Sequence, residues 1–180
     1  MHPPLPLARR LRLWPVALLL PAAAAAQPAA SRCPVGPARR YAALASGDWE
    51  LRRGGHAIGA VRVAVPSAGC LVQETEVLGA DTIGVTVGFY DQTERRWVSS
   101  YVGADGTLLR LSGAWRDSAT LVLTGPGYDP ASVGRAVPHR LTTRRLAPDT
   151  LRQVVETSAD GGRTWRVRWD VLWVRARPGS

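Results

Sequence analysis

The chain contains no lysine; all 23 of its basic side chains are arginine. Alongside the abundant Ala, Gly, Pro and Val, this is a compositional habit, so the formal charge of +9 says little about partners. The arginines are interleaved with 14 acids and never run longer than two in a row. That pattern excludes the basic stripe on which a nucleic-acid partner would lie, and none is expected. Histidine is scarce, at His2, His56 and His139, and cysteine is limited to Cys33 and Cys70. No His or third Cys stands at ligand spacing, which argues against a structural zinc site. A Gly-x-Ser-x-Gly elbow is missing, which removes the usual strand-to-helix serine nucleophile. Long helical periodicity is missing too, so the fold class must come from strands.

Residues 1–26 have the pattern of a secretion signal. Arg9, Arg10 and Arg12 form a positive start, Leu13 to Ala26 is apolar, and Ala24-Ala25-Ala26 offers small residues for cleavage near Gln27. Pro15 and Pro21 break the apolar run, which is short for a membrane span, so no anchor is expected after cleavage. Removing three arginines from the formal +9 leaves +6. The expected location is secreted or periplasmic. There, an even cysteine count favours a Cys33–Cys70 disulfide, closing a separation of 37 residues and contributing about 4 kcal/mol on the chain-entropy estimate.

Residues 27–40, rich in Pro, Ala and Arg, read as a loose lead-in, and residues 41–177 as one domain. Tyr41 to Ala45 reads as one helical turn, and Ser46 to Leu51 opens the first strand. Further strands are predicted at 60–65, 70–77, 83–90, 96–102, 107–112, 119–124, 138–146, 151–157 and 165–174, with 125–137 as the longest irregular segment. Turn signals recurring at about 8–12 residues imply an all-β sandwich or barrel. Short connections and strands without one clean apolar face favour an antiparallel up-and-down barrel of about ten strands. Its last hairpin is marked by Ser158-Ala159-Asp160-Gly161-Gly162-Arg163-Thr164-Trp165. Asp can bond backbone groups two residues on, and glycine reaches positive φ without strain. These residues fit S-x-D-x-G-x-x-W, the Asp-box hairpin of sialidases and other β-proteins, in which it is a folding device. A single occurrence argues against a propeller.

Gly47-Asp48-Trp49, Gly69-Cys70 followed by Glu74, Phe89-Tyr90-Asp91, Trp97, Asp105-Gly106, Leu111-Ser112-Gly113, Arg152-Gln153, Glu156 and the terminal hairpin span nearly all of the chain after residue 26. Together they resemble a family of secreted bacterial proteins with a lipocalin-like or calycin-like barrel. The chain departs from that pattern at Ser99, where a glutamine is expected, and in its arginine-rich segment from Arg140 to Arg145. The resemblance implies a barrel with Trp49 plugging one end and a small-molecule cavity. It implies no reaction.

Alternating positions on neighbouring strands nominate Glu74, Glu76, Ser99, Tyr101, Arg152 and Glu156 as lumen residues, with Arg152 pairing Glu74 or Glu156. Such a set serves either as a bracing polar network or as a ligand site. Glu74 and Glu156 are also the pair to consider for glycoside chemistry, which needs two carboxylates across a sugar bond. His139 is the single residue to consider as a haem ligand, although an exposed histidine is the expected outcome and no cofactor is predicted. Trp49, Trp115, Trp165, Trp169 and Trp173 are expected in the core or at barrel ends. The leading reading is a binder of a small amphipathic molecule rather than an enzyme. An enzyme with an internal carboxylate or arginine site and an interaction module without a cavity are the alternatives.

Overall fold

Ten antiparallel strands close into a barrel in the order β1-β10-β9-β8-β7-β6-β5-β4-β3-β2, so each strand pairs with its sequence neighbours and β10 returns to β1. The computed structural model describes residue 33 and residues 36–67, 69–129 and 135–176. Residues 1–26, read from sequence as a secretion signal, lie outside the described residues. The elements are α1 (Pro37–Ala45), β1 (Gly47–Arg53), β2 (His56–Ser67), β3 (Leu71–Leu78), β4 (Asp81–Asp91) and β5 (Arg96–Gly103). They continue with β6 (Leu108–Trp115), β7 (Thr120–Tyr128), β8 (Ala136–Ala147), β9 (Thr150–Thr157) and β10 (Arg166–Arg175). The predicted strand rhythm and the barrel are therefore what the chain forms. Several boundaries differ, β2 running from His56 to Ser67 where 60–65 was expected. The helix starts at Pro37, a residue whose fixed φ suits a first helical turn. Much of the segment read as irregular, 125–137, extends β7 and β8, where Gly125, Pro126 and Gly127 pair with His139, Pro138 and Val137.

The direction of each side chain follows from the two-residue repeat of a strand. On β1, Trp49 and Leu51 point inward and are buried; on β10, Val171 and Trp173 do the same. With Val61 and Val63 of β2, Val72 of β3, and Tyr41, Ala42 and Ala45 of α1, they form the packed core. This core fills the end of the barrel at which β1 starts. There α1 lies across the opening, and its carbonyls take the indole donors: Trp97 Nε1 and Trp115 Nε1 donate to Pro37 O at 3.1 and 3.3 Å, and Trp49 Nε1 donates to Ala45 O at 2.7 Å. The Arg175 guanidinium lies 3.8 Å from the centre of the Trp49 ring and donates to Ser46 O, joining the last strand to the first. Cys33 is bonded to Cys70, with Cα atoms 5.5 Å apart, which ties the chain ahead of α1 to the start of β3.

The opposite end carries the hairpins β1–β2, β3–β4, β5–β6 and β9–β10. In the last of these, Asp160 Oδ1 accepts from Arg163 N at 3.0 Å and Thr164 N at 2.8 Å, while Thr164 Oγ1 donates to Oδ2 at 2.6 Å. Ser158 Oγ donates to Asp160 Oδ1 at 2.8 Å and accepts from Gly162 N at 2.7 Å. Trp165 folds back so that its Nε1 donates to Gly162 O, and the Arg140 guanidinium covers its ring at 4.2 Å.

Candidate functional site

Between the packed end and the hairpins the lumen opens into a cavity of about 250 Å³. Its two sides differ in chemistry. Leu109, Leu111, Leu121, Leu123, Leu141 and Val155, from β6 to β9, make a mainly apolar wall that Thr143 of β8 and Gln153 of β9 interrupt. Facing the cavity from β3, β4 and β5 are Glu74, Glu76, Thr86, Ser99 and Tyr101. Trp97 lies toward the plugged end and Trp169 toward the hairpins. Among the described residues no Arg, Lys or His belongs to the wall, in a chain with 23 arginines.

Glu74 and Glu76 are two positions apart on β3, so both carboxyls leave the same face of the sheet. Glu74 is 3% exposed and accepts a 2.5 Å hydrogen bond from the Tyr41 hydroxyl of α1. Burial raises its pKa to about 7, and the Tyr41 bond partly offsets that rise. Burial, and then the charge of Glu74, bring Glu76 to about 7 as well. Burial also holds the Tyr41 phenol well above its ordinary value, with Glu74 adding to the effect. Tyr101 is pushed up to about 12, first by burial and then by the charges of Glu76 and Asp105. Burial thus raises both carboxyls toward the neutral range and keeps both phenols protonated there.

Tyr101 reaches its place because β4 offers a gap. A Cβ on Gly84 would stand 2.3 Å from the Tyr101 ring, so the ring occupies space that only glycine leaves, and its hydroxyl donates to Ile83 O at 3.2 Å. Four uncharged polar side chains line the cavity at low exposure: Thr86 and Ser99, with Thr143 and Gln153 across from them. None of the four side chains hydrogen-bonds to another described residue.

Of the residues nominated from sequence, Glu74, Glu76, Ser99 and Tyr101 come together on this wall. Arg152 and Glu156 do not. On β9 it is Leu151, Gln153 and Thr157 that are buried inward, which puts the even-numbered positions outside. Arg152 makes a two-point contact with Asp170 on the outer face, at 2.9 and 2.6 Å. Glu156 makes another with Arg140, at 2.7 and 2.9 Å. The expected pairing of Arg152 with a lumen glutamate is therefore overturned, and Glu74 and Glu156, on opposite faces of the wall, cannot flank one sugar bond.

His139 is buried rather than exposed, 4% accessible, with Nδ1 3.0 Å from Val137 O and its ring over Gly127. A cavity of about 150 Å³ holds one benzene. At about 250 Å³ the lumen is too small for a porphyrin, and His139 is not among its wall residues. No group of three or more His, Cys, Asp and Glu side chains is placed to hold a metal among the described residues. No helix among them is long and apolar enough to cross a membrane. Of the five tryptophans expected in core or plug positions, Trp49 and Trp173 are fully buried at the plugged end, whereas Trp169 belongs to the cavity wall.

Sequence reasoning missed Tyr41, Thr86, Trp97, Thr143 and Gln153. The alternation Leu151, Gln153, Val155 against Arg152, Val154, Glu156 carried a usable signal, since arginine is the costlier residue to bury. Nothing local points to Tyr41, which meets Glu74 across 33 residues. Compared with known proteins, the chain matches no family model and no curated protein.

Proposed function

We propose that this chain is a secreted barrel that binds a small amphipathic molecule in its lumen. The observation that carries this reading is the two-sided cavity: a leucine wall facing a wall of carboxyl, hydroxyl and phenol groups, about 250 Å³ in volume. Such a pocket buries an apolar body while a few placed polar groups fix its orientation. By proportion with the benzene cavity, the volume accommodates about ten heavy atoms. The Cys33–Cys70 bond suits an oxidising compartment, and the leader-like residues 1–26 suit export. The motif resemblance to secreted lipocalin-like barrels supports the same reading.

The test is native mass spectrometry of protein purified from its own host without denaturation, with the N-terminus sequenced on the same sample. The expected result is a start near Gln27 and a species heavier than the bare chain by one small molecule. Protein at its bare mass whose tryptophan fluorescence ignores every amphipathic probe would overturn the binding reading; an intact Met1 on exported protein would overturn the cleaved leader. Two raised carboxyls beside a cavity also favour a second reading, a lumen acid–base site. That reading predicts turnover of a lumen-bound compound that Glu74→Gln and Glu76→Gln each abolish.

A further inference from the structure

We propose that the ligand is an amphipathic cation, an alkyl- or arylalkyl-ammonium, whose charged head lies against Glu74 and Glu76 while its apolar body lies on the leucine wall. This rests on reading the lumen as a ligand site, and it names the ligand's charge.

The two carboxyls are surrounded by neutral and acidic groups. Tyr41 reaches them from α1, Thr86 from β4 and Tyr101 from β5; on β2 their register partners are Val63 and Val61. Across the cavity, β8 and β9 present Thr143 and Gln153. Asp105, in the β5–β6 turn, adds negative charge near Tyr101. None of these groups is cationic, and both phenols stay protonated through the neutral range. Arg53, at the hairpin end, lies over the Trp169 ring at 4.2 Å. A buried acid without a positive partner weakens a fold, and for packing alone glutamine or leucine would serve better at both positions. Two such acids side by side, facing a cavity, are the arrangement that an ammonium group completes.

A second observation points to a ligand independently of the acids. Gln153, 5% exposed, and Thr143, 1% exposed, direct polar atoms at the cavity and hydrogen-bond to no described residue; Thr86 and Ser99 do likewise. These groups stand open to the cavity and offer donors and acceptors to an occupant. A fatty acid fits badly, because its carboxylate would meet two carboxyls. An ion that recognises carboxylates by charge-assisted hydrogen bonds fits well.

Binding must then be linked to protons. An ammonium prefers the ionised acids, so its arrival draws the carboxyl pair down from about 7 and releases protons at neutral pH. Affinity should rise as pH climbs through 7 and fall below 6.

The experiment compares n-octylammonium, 1-octanol and octanoate, each near the ten-atom size, by isothermal titration calorimetry and by the fluorescence of Trp97 and Trp169. At about pH 8 octylammonium should bind at least about tenfold more tightly than octanol, and octanoate more weakly than either. At about pH 5.5 the lead of the ammonium over octanol should shrink to about threefold or less. The heat of octylammonium binding at neutral pH should differ between buffers of different ionisation enthalpy, which reads the released protons directly. Glu76→Gln should cut the lead of octylammonium over octanol to about threefold or less at about pH 8, read as the ratio of the two affinities in the same variant. Equal binding of octanol and octylammonium, or preference for octanoate, would overturn the cation while leaving the cavity reading in place. Failure of all three probes at both pH values would overturn both. The wild-type probe series decides the matter even if the variant does not fold.

Discussion

The Tyr41 hydroxyl of α1 donates a 2.5 Å hydrogen bond to Glu74 of β3, joining the helix that plugs the barrel to the acid at the centre of the lumen. Tyr41 also meets Trp97 edge to face, with ring centroids 5.3 Å apart, so one side chain belongs to both core and cavity. Plug and site are mechanically one structure.

Tyr41→Phe keeps the ring and removes the donor. The bond favours the ionised form of Glu74, so its loss should raise the Glu74 pKa above about 7. Leaving a buried acceptor short of its donor should cost about 1–3 kcal/mol, less at acid pH, where Glu74 is protonated in any case. Denaturant unfolding at two pH values, with a carboxyl titration followed by NMR or infrared, checks both parts. An unchanged Glu74 titration would refute the coupling.

The pair sets a direction for stability against pH. Glu74 and Glu76 have folded pKa values raised to about 7 from an ordinary value near 4.5. Below about 4.5 both are protonated whether the chain is folded or not, and the favourable difference is fully present. It is lost as pH rises through about 7, because the unfolded chain ionises first. The melting temperature should therefore fall between about pH 4.5 and 7.5 by more in the wild type than in a Glu74→Gln, Glu76→Gln double variant. Parallel curves for the two proteins would contradict the assignment.

The Cys33–Cys70 bond closes 37 residues and holds the approach to α1. Reduction, or replacement of both cysteines by alanine, should cost about 2–4 kcal/mol. Because α1 carries Tyr41, hydrogen exchange should quicken first in α1 and at the plugged end of β3. Uniform loosening of the whole barrel would show that the bond does not act through the plug.

The Asp160 carboxylate is lowered to about 2, chiefly by its Thr164 bond. Its contribution should hold above about pH 4 and fade as pH falls through about 2. Asp160→Ala should lower the melting temperature by several degrees and leave ligand binding per folded molecule unchanged. Gly162 has φ of +96°, where a side chain is strained, so Gly162→Val should be at least as damaging. Selective loss of binding in a stable Asp160→Ala protein would show the hairpin to be part of the site.

The strands themselves made the fold legible. Ten short runs separated by turn signals leave few arrangements, and Asp160 with Gly161 and Gly162 fixes the last turn through chemistry local to eight residues. The site was legible only in part. On β3 the two faces read Leu71, Gln73, Thr75, Val77 and Val72, Glu74, Glu76, Leu78, each a mixture of polar and apolar, so hydropathy cannot choose between them. On β9 the inward face was misread, and a one-position error in a strand exchanges its two sides.

Residue order by itself determined the strand rhythm, the closing hairpin and the pairing of the only two cysteines, because each depends on turn chemistry, two-residue periodicity or simple count. Tertiary structure decided which face of each strand looks inward. It also decided that Arg152 and Glu156 pair outside with Asp170 and Arg140 while Glu74 and Glu76 stay inside without a cation. Closure is the reason. Once β10 pairs with β1, the pairing registers fix which side chains share the enclosed space, and that sharing, a relation among distant residues, sets the charge and solvation of the lumen.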